Sequence, residues 1–412
     1  MLQYKRRILE ERILKYLTIF PVVALTGSRQ AGKSTMLQHL FQDGWDYYSL
    51  DQRSVLETIR QDPDFFIKQQ QRNFIIDEAQ KLPEIFSAVK FAVDTGSSKK
   101  IILSGSANFL LLQKITETLA GRIGILELYP YAYSEIVQLG NPLFLSRLLN
   151  AAKVSELRQH SAAPAAWIEE YILNGGYPKV WEYAVREDRI TWLENFRTTY
   201  LERDLHDLAQ VASIHDFQRY YEMLAYQTGS LLNLSNIGRD IGITTNTSRK
   251  YFSVLVSSYQ YFTLQPFYMN INKRLVKTPK VYVWDTGLGS FLLKYRNVTD
   301  MINSGRYGSI FENWVITELL KQAAVLEQKP VFYFWRTSNG AEVDLVVEYG
   351  SRLIPVEIKA AAVLHRESLR GIQNFLEDYK KRAAWGIVVY CGERAYHISD
   401  TILALPVHWI LQ

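Results

Sequence analysis

The residues Val22-Val23-Ala24-Leu25-Thr26 run into Gly27-Ser28-Arg29-Gln30-Ala31-Gly32-Lys33-Ser34-Thr35, and Met36-Leu37-Gln38-His39-Leu40 continue as a helix. A buried strand, a glycine-bounded loop and a helix in that order make the G-x-x-x-x-G-K-[ST] phosphate-binding loop. Gly27 and Gly32 allow backbone angles that curl amide N–H groups around a phosphate. The helix aims its positive N-terminal end at the same anion. Lys33 can reach the β- and γ-phosphates, and the Ser34 hydroxyl can ligate Mg²⁺. Gly27, Gln30, Ala31, Gly32, Lys33, Ser34 and Thr35 are therefore the candidate nucleotide-binding residues.

Working outward, Asn73-Phe74-Ile75-Ile76-Asp77-Glu78 is a short apolar strand ending in two acids. Asp77 at such a strand tip can hold Mg²⁺ through water, and Glu78 can orient or deprotonate an attacking water. Lys100-Ile101-Ile102-Leu103-Ser104 is another buried strand. Its tip offers Ser104, Ser106 and Asn108 as sensors of the γ-phosphate, with Ser106 slightly preferred. Leu119-Ala120-Gly121-Arg122 then precedes the strand Ile123–Leu128. Arg122 is read as a source of positive charge for phosphoryl transfer, in its own subunit or a neighbour's, or else as a surface ion-pair partner. Asp51, at the end of a second strand, is read as structural. Strands alternating with helices predict a parallel sheet. No N-K-x-D pattern follows it, so ATP rather than GTP is expected.

The chain has 412 residues, too many for one ordinary core, and about two to four domains are expected. A hydrophobic fraction of 48% and a charged fraction of 22% exclude a disordered chain. The formal net charge of +5 favours a polyanionic partner without requiring one. Cys391 is the single cysteine, which excludes an intramolecular disulfide and a cysteine zinc site and fits a reducing, cytoplasmic setting. No run of about 18 apolar residues is present, so no membrane span is expected.

Residues 135–210 read as helical, broken at Gly175-Gly176-Tyr177-Pro178. Phe217–Thr228, Ser235–Ile241, the turn Gly242-Ile243, Thr245–Ser258 capped by Thr244, and a strand Phe262–Tyr268 are the parts of a winged helix-turn-helix. Thr245, Asn246, Arg249 and Lys250 on the longer helix can meet phosphates or base edges. Lys273, Arg274, Lys277 and Lys280 follow in the wing. Further on, Glu312 lies in a helix, and Asp344, Glu357 and Lys359 lie on strands expected to be adjacent. Carboxylates so placed can hold Mg²⁺ on a scissile phosphate, with the lysine activating or positioning water.

Taken together, the chain resembles the bacterial and archaeal AAA-type ATPases that carry a DUF4143 C-terminal region, over nearly its full length. The resemblance rests on Gly27–Ser34, Ile76-Asp77-Glu78-Ala79-Gln80, Ser104-Gly105-Ser106, Leu119–Arg122, Tyr200–Asp204, Phe311-Glu312-Asn313, and Phe334-Trp335-Arg336-Thr337 through Asp344, with Glu357-Ile358-Lys359. It implies an α/β chain: a P-loop NTPase parallel sheet over 1–140, a helical lid or linker over 141–212, a winged helix over 213–295, and a PD-(D/E)xK, restriction-endonuclease-like domain over 296–412. No proline precedes Asp344, a departure from the motif's name. The expected function is ATP binding and hydrolysis with Mg²⁺, DNA binding by a homo-oligomer, and metal-dependent DNA processing. The alternative is a nucleotide-switched binding module with an inactive nuclease-like fold.

Overall fold

Five parallel strands carry the N-terminal half: β1 (Val22–Gly27), β2 (Trp45–Ser49), β3 (Asn73–Asp77), β4 (Ile101–Ser104) and β5 (Ile123–Leu128). Their order across the sheet is β2-β3-β4-β1-β5. β1 and β4 are buried along their whole length, as central strands covered on both faces must be, which is why they read as unbroken apolar runs. β2 is only partly buried, consistent with its place at the edge. One core joins Val22, Ala24, Phe74, Ile76, Ile101 and Leu103 to residues of the flanking helices. The structure, a computed structural model, describes residues 4–105, 118–158, 167–209, 213–269, 277–365 and 369–412, with 200–209 as backbone.

The sheet order puts β4 between β1 and β3, so the C-terminal ends of three neighbouring strands present Gly27, Ser104 and Asp77 side by side. In open α/β sheets that edge is where ligands sit. Helix α1 (Glu10–Ile19) precedes β1, and α2 (Lys33–Leu40) follows the glycine loop.

The chain forms two compact units. The first comprises residues 1–131 together with 177–182 and 253–260, and the second comprises the remainder. The boundaries expected at 213 and 296 fall inside the second unit. Across residue 296 the physical reason is one eight-stranded mixed sheet, ordered β12-β13-β11-β10-β9-β8-β6-β7. Its strands are β6 (Tyr261–Pro266), β7 (Lys280–Val283), β8 (Val331–Arg336), β9 (Glu342–Tyr349), β10 (Arg352–Lys359), β11 (Gly386–Tyr390), β12 (Tyr396–Ser399) and β13 (Ile402–Pro406). The hairpin β6–β7, expected as a wing, pairs onward through β6 with β8, Gln265 lying opposite Tyr333. The wing strands and the C-terminal strands thus share one sheet.

The helix-turn-helix segment is present in the second unit, with helices Ile214–Tyr226 and Leu234–Ile241 and the start of Thr245–Ser257. Asn233 caps the middle helix by accepting from the Asn236 amide at 3.0 Å, and Gly242 ends it in the left-handed region. Thr244 caps the longer helix, its hydroxyl accepting from the Thr247 amide at 3.1 Å. Gly238 lets the helices meet closely, since a β-carbon there would lie a tight 3.0 Å from the Ile243 carbonyl oxygen. Among the described residues no helix is long and apolar enough to cross a membrane.

Candidate functional site

Two groups of functional side chains emerge, one in each unit. In the first unit, Gly27 ends β1 at φ 141°, and a β-carbon there would lie 2.0 Å from the Leu128 carbonyl oxygen of β5. Only glycine fits. Gly32 and Gln30 also take left-handed backbone, which turns the loop back over the start of α2. Lys33 is buried, and its ammonium donates to the carbonyls of Gly27 at 3.0 Å and Ser28 at 2.8 Å. Burial pulls its pKa down to about 8, against the pull of Glu78 and Asp77. Ala31 is buried, whereas Gln30 and Thr35 are exposed at the loop surface.

Asp77 is the hub of this group. Its Oδ2 accepts from Ser34 Oγ at 2.7 Å and from the Tyr47 hydroxyl at 2.5 Å, while its Oδ1 accepts from Ser104 Oγ. Ser34 and Asp77, each read from the sequence as a holder of Mg²⁺, thus lie within hydrogen-bond reach of one another. Glu78 follows at φ 56°, a left-handed conformation unusual for a residue with a β-carbon, and the Gln80 amide donates to its carboxylate. Ser106 and Asn108 lie outside the described residues, and of the three sensor candidates Ser104 is the one seen on Asp77. Asp51 pairs with Lys81, in keeping with its structural reading.

Sequence reasoning missed Tyr47 and Arg7. Arg7 is buried, donating to the Ala31 carbonyl at 2.7 Å and the Tyr129 carbonyl at 2.6 Å, with its guanidinium 4.6 Å from the centre of the Tyr131 ring. It braces the phosphate loop from the N-terminal segment. Burial, followed by the bond to Asp77, pushes the Tyr47 hydroxyl up, so it remains a donor.

Arg122 does not join them. β5 runs parallel to β1 with Ile123 opposite Val22, so Arg122 lies at the strands' starting edge. The phosphate loop leaves from the finishing edge, five residues or about 16 Å further along. There Arg122 forms a two-pronged ion pair with Asp94, at 2.5 Å and 3.1 Å. A catalytic role in its own subunit is overturned by this register.

The second group lies on β7, β9, β10 and the helix Tyr307–Val325. Asp344 of β9 accepts from the Ile358 amide of β10 at 2.8 Å. Lys359 stands 3.6 Å from Asp344 and 2.5 Å from Glu357 Oε1. Glu312 comes in from the helix, as expected, but meets cations: Lys280 at 3.0 Å, with the Tyr282 hydroxyl at 2.6 Å on the same oxygen. Lys280 also reaches Glu342 at 2.5 Å. It is only 2% exposed, so it is not a wing lysine open to phosphate.

Burial, then the charge of Asp344, raises Glu312 to about 7 and pushes Glu357 well up. For Lys280 and Lys359 burial pulls the other way, but the surrounding acids outweigh it and hold both ammoniums charged. Among the described residues no three His, Cys, Asp or Glu side chains are grouped to hold a metal ion, and Lys280 and Lys359 contact the acids of this group. Yet Glu357 Oε2 is buried without a hydrogen-bond partner. A buried carboxylate oxygen of that kind calls for a cation or a donor. A cavity of about 270 Å³ adjoins it, lined among others by Asn339, Gly340, Glu342 and Arg370.

On the helix Thr245–Ser257, Asn246, Arg249 and Lys250 are exposed and Thr245 is half-buried, while Ser248 turns inward to bond the Leu234 carbonyl at 2.8 Å. Lys277 is exposed; Lys273 and Arg274 lie outside the described residues.

Three family models match the chain: an AAA domain over residues 20–137, a domain of unknown function (DUF8612) over 165–299, and a domain of unknown function (DUF4143) over 307–410. Uncharacterized proteins of Mycobacterium tuberculosis and Mycobacterium bovis are each 30% identical over 99% of this chain and 85% of their own length. Among solved structures, the Walker-type ATPase of Pyrococcus abyssi covers 71% of this chain and 99% of its own, at 18% identity and a TM-score of 0.47.

Proposed function

We propose that this chain, which belongs to the family of AAA-domain proteins carrying a DUF4143 C-terminal region, couples its ATPase to DNA processing. The first unit is an AAA-type P-loop ATPase. The observation that supports its mechanism is the convergence of Ser34, Tyr47 and Ser104 on Asp77 at the mouth of the phosphate loop. Lys33 now donates to the loop's own carbonyls, and a phosphate would exchange those for its oxygens. Ser34 and Asp77, already 2.7 Å apart, would hold Mg²⁺, which when bound offsets charge on the β- and γ-phosphates. Tyr47 and Ser104 fix the carboxylate's orientation. Glu78 orients the attacking water and takes its proton.

The helix Thr245–Ser257 offers Asn246, Arg249 and Lys250 to DNA from one exposed face. Such contacts are with phosphates first, so the affinity is sensitive to salt. Replacing Arg249 and Lys250 together by Ala should weaken duplex binding and lower the slope of log affinity against log salt by about 2. Fluorescence anisotropy across a salt series reads both. An unchanged affinity and slope would turn this helix away from DNA.

In the second unit Asp344 and Glu357 would hold a divalent cation on a scissile phosphate, which polarises it when bound. The unpartnered Glu357 oxygen supports that reading. Lys359, held charged by its two acids, suits positioning of water and phosphate better than removing a proton. A second reading draws on the neutralisation of the acids by Lys280 and Lys359: a nucleotide-switched binding module that does not cut. Plasmid nicking with Mg²⁺ or Mn²⁺, with and without ATP, separates the two.

Self-assembly is part of the proposal because Arg122 could reach a phosphate only in a neighbouring copy. If Arg122 serves only its ion pair with Asp94, Arg122→Ala should change ATP turnover by no more than about threefold, because exposed ion pairs contribute little. A loss of about 10²-fold or more, restored by mixing with Lys33→Ala subunits, would instead make it a residue acting across a subunit boundary.

A further inference from the structure

The four carboxylates of the second group, Glu312, Glu342, Asp344 and Glu357, divide two ammoniums between them unequally. On one side Lys359 contacts Asp344 and Glu357, yet Glu357 Oε2 has no partner. On the other side Lys280 lies between Glu312 at 3.0 Å and Glu342 at 2.5 Å. The Tyr282 hydroxyl adds a second donor to Glu312 Oε1, and the Phe334 ring lies 5.6 Å from the Lys280 nitrogen. Lys280 and Tyr282 alternate on β7, so one face of that strand delivers both donors to Glu312. The Glu312 side is satisfied and the Glu357 side is not.

We propose that the Lys280 ammonium occupies the place of a second divalent cation, so that this centre takes one metal ion, between Asp344 and Glu357. The inference rests on the metal reading of the centre given above and adds the number of ions and the residue that sets it. Charge agrees. Once a bound cation has drawn all four carboxylates into their ionised form, four against two ammoniums leave a formal charge of −2, which one divalent cation balances and two would overshoot in a buried setting. Arg336, 3.4 Å from Glu342 and 47% exposed, adds only a screened contribution. Two-metal sites hold their ions about 3.5–4 Å apart between shared carboxylates. Here the carboxylates that would complete the second position already share a proton-bearing nitrogen. Lys280 is thus a positioning residue: it keeps Glu312 and Glu342 away from the metal and leaves Asp344 and Glu357 to hold it.

The test is to soak crystals of the full chain, wild type and Lys280→Met, in Mn²⁺ and to locate the ions by anomalous scattering. One peak is expected in the wild type, beside Glu357 Oε2. In Lys280→Met a second peak is expected between Glu312 and Glu342, about 3.5–4 Å from the first. Two peaks in the wild-type centre, or a single peak in Lys280→Met, would overturn the role of Lys280 while leaving the metal reading in place. No peak in either protein would remove the metal reading itself and this inference with it. If Lys280→Met does not fold, the wild-type count together with Lys280→Arg decides: one ion in each supports the proposal, two in either overturns it.

Discussion

Glu78→Gln is expected to bind Mg-ATP about as well as the wild type and to hydrolyse it at least about 10²-fold more slowly. The substitution keeps the size of the side chain and its capacity to accept a bond from Gln80, which now donates to the carboxylate. It removes only the negative charge and the ability to take a proton. The residues proposed to grip the nucleotide, Lys33 and Ser34 above all, are untouched, and so is Asp77 with its three donors. Binding and turnover should therefore separate. Glu78 also sits in left-handed backbone, a conformation whose cost is of order 1–3 kcal/mol and is retained where the surrounding structure demands it. Placing the carboxylate just past the strand tip, beside Asp77, is such a demand. Fluorescent-nucleotide binding together with phosphate release measures both quantities. A variant that turns over ATP at the wild-type rate would remove Glu78 from the chemistry.

Much of this site was legible because phosphate binding is strict about residue type. A glycine that must take positive φ against Leu128, and a lysine and serine at fixed offsets from it, leave little room for other readings. The helix-turn-helix segment was legible through local signals, the Thr244 cap and the turn at Gly242. What escaped was long-range. Tyr47 meets Asp77 from 30 residues away, and Arg7 meets Ala31 from 24. No local periodicity marks such partners. Lys280 was misread because lysines near a wing are usually solvated, whereas its acids arrive from a helix and a strand far along the chain. The fusion of the wing hairpin with the C-terminal sheet depends on pairing between β6 and β8, which lie far apart in sequence. For Arg122 the reading within its own subunit was avoidable. A residue preceding a strand of a parallel sheet lies at the edge opposite a loop that follows one, and that much could be read from residue order.

The same strictness gives the acidic centre its sharpest test. Asp344→Asn and Lys359→Ala should each reduce DNA cutting by about 10²–10⁴-fold while ATP turnover stays at the wild-type rate. Asn is the better choice at 344. Asp344 accepts from the Ile358 amide at 2.8 Å, and alanine would leave that buried N–H without a partner, at about 1–3 kcal/mol. An Asn carbonyl can keep the bond while giving up the charge that a cation needs. Any loss of cutting then reports on chemistry and not on a damaged sheet. Lys359→Ala acts from the other side. It removes the ammonium from Glu357 Oε1 and should increase the pull of Asp344 and Glu357 on Mn²⁺, so cutting falls as metal binding is kept or strengthened. Loss of both together would show that the lysine only supports the fold. Carboxylates alone bind Mg²⁺ weakly, since the ion gives up its waters reluctantly, so the assays should include DNA, whose phosphate completes the shell. Branched, single-stranded and duplex substrates need to be offered with each metal, with and without ATP. If the wild-type chain cuts none of them, the two lysines are the natural explanation: the acids serve ion pairs that hold the sheet and helix together. ATP would then control what the helix-turn-helix grips instead of what the acidic centre cuts.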